Sequence, residues 1–279
     1  MQRPITYQIN QFMNTTEQYS GGYSPIIIDQ FKQRSFSKQG AFLLPYLKSG
    51  LTVLDCGCGP GSMTLDIAEL VNPSRVFGID SSPIQIEQAL LLQQQRAIDN
   101  VSFTTGSVYQ LPYEDEQFDI VFAHAVLYHL QHPEQALAEF KRVLKPNGLV
   151  ALRDACHSGD MMMPESPDLT AVWATIEKVF IHQCGNIYFG SQHKQALLEQ
   201  GFQNITVSCS YDTFATEIEK DSIRNCWQQF LNIDHRQLIL EQQWLTETEL
   251  ARQCAALSEW CANPASFFAR ARCEAIARK

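Results

Sequence analysis

Between Asp55 and Gly61 the chain reads Asp-Cys-Gly-Cys-Gly-Pro-Gly, an acid followed by three alternating glycines with two cysteines among them. Glycines let a backbone turn tightly and approach a ligand closely, so the run could cradle the phosphates of a dinucleotide. Two thiols one residue apart could be half of a zinc site. A carboxylate beside bare backbone could also hold a ligand with a cationic group. The spacing decides against the first two. A dinucleotide fingerprint requires G-x-G-x-x-G/A, yet counting from Gly57 the third place is Ser62, and from Gly59 it is Thr64. Asp55 would also repel a pyrophosphate this near. No second pair matches Cys56 and Cys58, and none of the nine cysteines forms a Cys-x-x-Cys pair. Neither a metal site nor a disulfide framework is therefore indicated, and reduced thiols packed as small core residues fit best.

An ammonium-bearing nucleoside without phosphate suits the loop, and S-adenosylmethionine is such a ligand. A second acid, Asp80, follows nineteen residues after Gly61, where a carboxylate can accept from ribose hydroxyls.

The elements that would position these residues alternate. "LTVLDCG", "RVFGID", "VSFTTGS", "FDIVFAHAV" and "GLVALRDA" are short β-branched or aromatic runs. Helical stretches at 61–72, 83–97 and 133–145 separate them. In the last, Pro133 suits a first turn, Leu137, Phe140 and Leu144 recur at helical spacing, and "PNG" ends it. This rhythm means a parallel sheet covered on both faces. A short helix is expected within Ser37–Lys48. After Asp154 the rhythm changes, with helical insertions at about 156–189 and 212–264 around a helix–strand pair, "SQHKQALLEQGF" and "NITVSCS". Residues 1–36 form an N-terminal segment and 37–279 one domain.

Thirty acidic against 21 basic residues give a net charge of −9, opposite to the basic footprint of a nucleic-acid binder. No apolar run is long enough to span a bilayer. The polar N-terminus does not read as a signal peptide, so a cytoplasmic location is expected.

With these residues in place, the chain resembles the class I S-adenosylmethionine-dependent methyltransferases of the ubiquinone/menaquinone-biosynthesis type. "LDCGCGPG", "GIDSSPIQIEQA", "GSVYQLPYEDEQFDIVFAHAVLYHL" and "FKRVLKPNGLVALRD" match successive motifs of that family. The flanks, with Tyr19, Gly22, Arg34, "FLLPYL" and the closing "FFARARCEAIARK", resemble one subgroup of small-molecule enzymes. The resemblance implies a Rossmann-like α/β fold with a seven-stranded, mostly parallel sheet, an antiparallel last strand, and helical insertions forming a lid. It also implies that Asp55, Gly57, Gly59 and Gly61 line the methionine and ribose, and that Asp80 and Ser81 hold the ribose. Ser107 and Val108 would meet the adenine edge, Ala123 and His124 the sulfonium, and Tyr23 and Arg34 would reach the cofactor from the N-terminal segment. Ser107 departs from the family's usual aspartate, which accepts more strongly from the adenine amino group.

Methyl transfer needs alignment, exclusion of water and, for acidic acceptors, a base. His124 and Asp154 are the candidates, each weighed against a structural role; His129, His132 and His157 read as structural. Met161–Met163, Trp173, Phe180, Trp227 and Phe230 suit lid packing, and an apolar or aromatic acceptor if they line a pocket. The expected activity is methylation of a small metabolite at O, N or C. The rivals are a binding protein that holds the cofactor without transfer, and a nicotinamide oxidoreductase. Against the latter, no tyrosine is followed four residues later by lysine.

Overall fold

Strand and helix alternate as the periodicity predicts, and they build one mixed sheet. The computed structural model describes Tyr19 and residues 24–279; Gly22 and Tyr23 lie outside the described residues. The elements begin with α1 (Pro25–Lys32), α2 (Phe36–Gln39), β1 (Val53–Cys56), α3 (Ser62–Val71), β2 (Val76–Asp80) and α4 (Pro83–Arg96). They continue with β3 (Val101–Thr105), β4 (Phe118–His124), α5 (Pro133–Val143), β5 (Leu144–Ala155), β6 (Met161–Met163) and α6 (Pro167–His182). The chain then forms α7 (His193–Glu199), β7 (Gln203–Phe214), α8 (Glu217–Gln229), α9 (Arg236–Glu241), α10 (Glu247–Ala262) and β8 (Phe267–Arg278).

The strand order is β3-β2-β1-β4-β5-β8-β6, with β7 also paired to β8. The pairings among β1 to β5 are parallel. β8 alone runs the other way, antiparallel to β5, β6 and β7. The expected antiparallel last strand is therefore present, but the sheet has eight strands and not seven. The extra strand is the methionine triplet. β5 pairs with β8 as far as Ala155 and Arg272, and β6 resumes from Met161 and Ala269, so β6 prolongs β5 along the same edge.

β1 is buried on both faces, as a central parallel strand must be. Leu54 and Cys56 pack in the hydrophobic cluster with Val121 and Phe140, and Val53 packs in the opposite cluster with Ile120 and Phe122. Cys56 and Cys58 are both buried free thiols, as expected of packing residues. In α5, Pro133 opens the first turn, Lys141 and Arg142 lie in the last, and Ala136, Leu137, Phe140 and Val143 form the buried stripe.

Two boundaries differ from expectation. The helix expected within Ser37–Lys48 is the four-residue α2 followed by a 3₁₀ turn at Ala41–Tyr46, because Gly40 and Pro45 interrupt it. α5 stops at Val143, before the "PNG" turn; Leu144 already pairs with Phe118 of β4, and the register shifts before Leu149 meets Ile120.

Candidate active site

Open parallel sheets hold ligands at the carboxyl ends of their strands, and here that edge contains a cavity of about 420 Å³. This lies within the usual range of small-molecule sites, about 300–1,000 Å³. Gly57 and Gly59 line it from the turn after β1, Asp80 and Ser81 from β2, Ser107 and Val108 from the turn after β3, and His124 from the end of β4. Phe31, Arg34 and Tyr19 complete it from the N-terminal side. Of the site residues expected from the sequence, Asp55, Gly61, Ala123 and Asp154 do not line it, nor do the methionines and aromatic residues of the insertions.

The three glycines do different work. All have positive φ, from 54° to 80°, a region costly for residues with a Cβ. A Cβ on Gly57 would lie 2.4 Å from Val126 Cγ2, so this glycine lets the β1 and β4 turns interlock. A Cβ on Gly61 would meet Phe103 at 2.8 Å and Ala89 at 2.9 Å, so it serves helix packing at the start of α3. A Cβ on Gly59 would meet nothing within 4 Å. Gly59 therefore offers bare backbone to the cavity.

Asp55 lies beneath this loop, fully buried, with Thr64 Oγ1 donating to its Oδ2 at 2.6 Å. Burial raises its pKa to about 7; the Thr64 bond opposes the shift and Asp80 adds to it. The expectation that its carboxylate faces the ligand's ammonium is thus corrected: the carboxylate braces the loop from below. Because the folded pKa exceeds the unfolded value, its ionisation costs nothing at about pH 3 and the full amount above about pH 7. Without ligand, Asp55→Asn should therefore raise stability at about pH 8, by up to about 4 kcal/mol, and leave it little changed at about pH 3. Urea unfolding at the two pH values checks this.

Asp80 joins the turns after β1 and β2. Its Oδ2 accepts from Gly59 N and its Oδ1 from Ser82 N, both at 2.9 Å. Burial raises its pKa, and the two backbone N–H groups oppose the rise. A carboxylate has about four lone-pair sites, so acceptor capacity is left for a ligand. Ser107 Oγ accepts from Tyr109 N at 3.2 Å, closing the turn after β3.

The two candidate bases are both committed elsewhere. Arg153 Nη1 lies 2.9 Å from His124 Nε2. A guanidinium only donates, so Nε2 is the acceptor and the ring proton sits on Nδ1, which has no partner among the described residues. Burial, then the charges of Arg34, Arg153 and Arg272, hold the His124 pKa well below its ordinary value. Asp154 is fully buried; its Oδ1 accepts from Val126 N at 2.9 Å and its Oδ2 pairs with His193 Nε2 at 2.8 Å. It positions the turn through Ala125, a residue with φ of 59° whose N–H bonds to Arg153 O. That is the structural alternative weighed for Asp154. Burial also lowers His129, to about 3, and His157. In ¹³C-ring-labelled protein, three histidine signals should show no titration between about pH 5 and pH 8.

Two features escaped sequence reasoning. His129, read as structural, lines the cavity and stacks on Phe180 at 5.3 Å, which in turn stacks on Tyr128 and Phe230. The second is a charged ladder across three strands, β5, β8 and β7. Arg153 donates to Asp212 Oδ1 at 2.9 Å and Glu274 Oε1 at 3.3 Å, and Arg272 Nε donates to Asp212 Oδ2 at 2.7 Å. Ser208 and Ser210 also donate to Glu274. The alternating charges of "FARARCEA" were the available signal.

A family profile described as a methyltransferase domain matches residues 47–204, more than half of the chain. An uncharacterized methyltransferase of Schizosaccharomyces pombe is 38% identical over 143 residues, covering 49% of this chain and 51% of its own. The chain thus spans about half the length of that relative. A demethylmenaquinone methyltransferase of Lactiplantibacillus plantarum is 31% identical over 179 residues, 63% of this chain and 71% of its own. Among solved structures, the YcgJ protein of Bacillus subtilis is 18% identical with a TM-score of 0.59, covering 86% of this chain and 97% of that one, and shares the fold. The profile takes in every element from β1 to α7, the glycine turn and Asp80 among them, and the chain belongs to the S-adenosylmethionine-dependent methyltransferase family.

Proposed function

We propose that the cavity binds S-adenosylmethionine and that the chain transfers its methyl group to a small apolar or aromatic acceptor. The observation that carries this is the joint between Gly59 and Asp80: open backbone at Gly59, held at 2.9 Å by a carboxylate that itself lines the cavity. A phosphate-free nucleoside fits such an acid-lined cradle. When bound, the cofactor supplies a carbon already activated by its sulfonium. The acceptor's lone pair would take that methyl carbon, with S-adenosylhomocysteine as the leaving group.

The chain's own residues bind and align. Asp80 and Ser81 hold the ribose hydroxyls, Gly57 and Gly59 flank the methionine, and Ser107 with Val108 meets the adenine edge. Arg34 pairs with the cofactor carboxylate: its guanidinium has no acidic partner within ion-pair distance among the described residues and rests 4.1 Å over the Phe31 ring. Burial and the nearby Arg272 charge lower its pKa to about 10, so it stays cationic. The N-terminal segment and the insertions at about 156–189 and 212–264 act as a lid. Trp173 and Trp227 of the insertions pack with Phe268 of β8 at 4.8–5.3 Å. The net charge of −9 favours a metabolite over a nucleic acid as acceptor. Among the described residues no helix is long and apolar enough to cross a membrane.

Calorimetric titration with S-adenosylmethionine, S-adenosylhomocysteine and NADH tests the cofactor. Radioactive methyl transfer to a small-molecule extract tests the activity. Micromolar binding of the adenosyl compounds with labelled product supports both. Binding of NADH alone overturns them. Binding with no transfer into any fraction leaves the cofactor assignment and replaces the enzyme with a binding protein.

A further inference from the structure

The acceptor must come from the far side of His124. The nucleoside cradle lies over β1 and β2, and His124 ends β4, so the next strands along the sheet, β5 and β8, border the space where an acceptor would meet the sulfonium. β8 presents two arginines there, Arg272 and Arg270, each facing one acid, Asp212 and Asp160. Arg272 sits two strands from His124, about 10 Å at the usual strand spacing. It pairs with Ala155 of β5, two residues nearer the ligand edge than the Arg153–Glu274 pair. Arg272 is 6% exposed, and its Nε is committed to Asp212, but its Nη1 is buried without a partner among the described residues. A buried guanidinium N–H left unmatched is costly, and the natural complement is an anion. Arg270 lies over the rings of Trp173 and Phe268, at 5.8 and 5.3 Å, with Asp160 Oδ2 4.0 Å from its Nε.

The committed bases point the same way. With Nε2 of His124 accepting from Arg153, and Asp154 fully buried outside the cavity lining, neither is placed to remove a proton from an acceptor. A site built like this suits a nucleophile that arrives already deprotonated. The Arg272 charge reaches His129, which lines the cavity and is backed by the stacked rings of Tyr128, Phe180 and Phe230. We infer that the acceptor is an aromatic acid bound as its anion, a carboxylate or an acidic phenolate, with the charge met by the unpartnered Nη1 of Arg272 and the ring by His129 at the cavity wall. Tyr128 and Arg34 lie within electrostatic reach of Arg272, and the Arg34 charge adds to the field at the His129 wall.

This rests on the methyltransferase assignment above, so binding of S-adenosylhomocysteine is measured first. If the wild-type protein does not take it up, that assignment fails and the present one with it. Protein saturated with S-adenosylhomocysteine is then titrated with isosteric acid and amide pairs, naphthoate against naphthamide and benzoate against benzamide. Tighter binding of the acids by about tenfold or more is the expected result. Equal binding of acid and amide, or no binding of any acid, overturns the anionic acceptor while leaving the cofactor assignment standing. Arg272→Gln should abolish the acid's advantage and leave S-adenosylhomocysteine affinity unchanged, and Arg272→Lys should keep part of it. The wild-type acid–amide comparison decides the matter even if Arg272→Gln does not fold. A persistent acid preference in a folded Arg272→Gln protein overturns the assignment to Arg272.

Discussion

Asp80→Ala should weaken S-adenosylhomocysteine binding by at least about a hundredfold, close to 3 kcal/mol. The carboxylate holds Gly59 N and Ser82 N together from opposite oxygens and lines the cavity. Its loss removes the charged acceptor for the ribose and releases the Gly59 backbone from its set position. Each hydrogen bond to a charged group contributes about 1.5–3 kcal/mol, so two such losses reach the stated size. Asp80→Asn preserves shape but turns one acceptor into a donor, which must then face a backbone N–H, and it should fall between. Calorimetry on both variants, with circular dichroism to show retained fold, reads the effect. A loss below tenfold for Asp80→Ala would move the nucleoside away from this acid.

The largest stability effect should come from Asp212→Ala, about 3–5 kcal/mol, because it strands the buried Arg272 guanidinium and leaves Arg153 with Glu274 alone as acidic partner among the described residues. Asp212 bridges Arg153 and Arg272 with one oxygen each, at 2.9 and 2.7 Å. Burial alone would raise its pKa, but the charges of Arg272 and Arg153 outweigh that and hold it far below the carboxylate range. Since the folded pKa is depressed, this stabilisation is present above about pH 4 and is lost as the solution is acidified further. The variant should unfold at lower urea near neutrality, with the slope unchanged, and its deficit should shrink in acid. By contrast, breaking the exposed Arg252–Asp168 pair should change stability by no more than about 0.5 kcal/mol.

The parallel sheet was legible because most of its strands declare themselves as a short apolar run followed by a helix. The glycine turn and Asp80 were legible because their spacing is local: Gly59 and Asp80 lie 21 residues apart. The ladder was not, because its members are remote in sequence. Arg153 looks like a lone charge in "GLVALRDA", and it becomes intelligible only when β8 and β7 bring Glu274 and Asp212 to it from 121 and 59 residues away. For His124 the two readings stayed level for the same reason, since the proton position on its ring is set by a neighbour on another strand. Asp154 could be weighed but not decided, because His193 reaches it from α7. Three methionines are too few to show a strand period, and they pair only because the edge of β8 extends past the end of β5.

The central place of β8 has a consequence for synthesis. β6 and β7 hydrogen-bond to no strand but β8 among the described residues, and β8 follows every other element in sequence. While a nascent chain has not yet delivered Phe267, β5 has one open side and β6 and β7 are without strand neighbours. Such unpaired edges are templates for pairing with other chains. The ribosome therefore releases the nucleoside half of the site in a form that can begin to assemble, while the cationic half awaits the final dozen residues of β8. A chain stalled or clipped before Phe267 should be recovered in aggregates and not as a soluble partial enzyme.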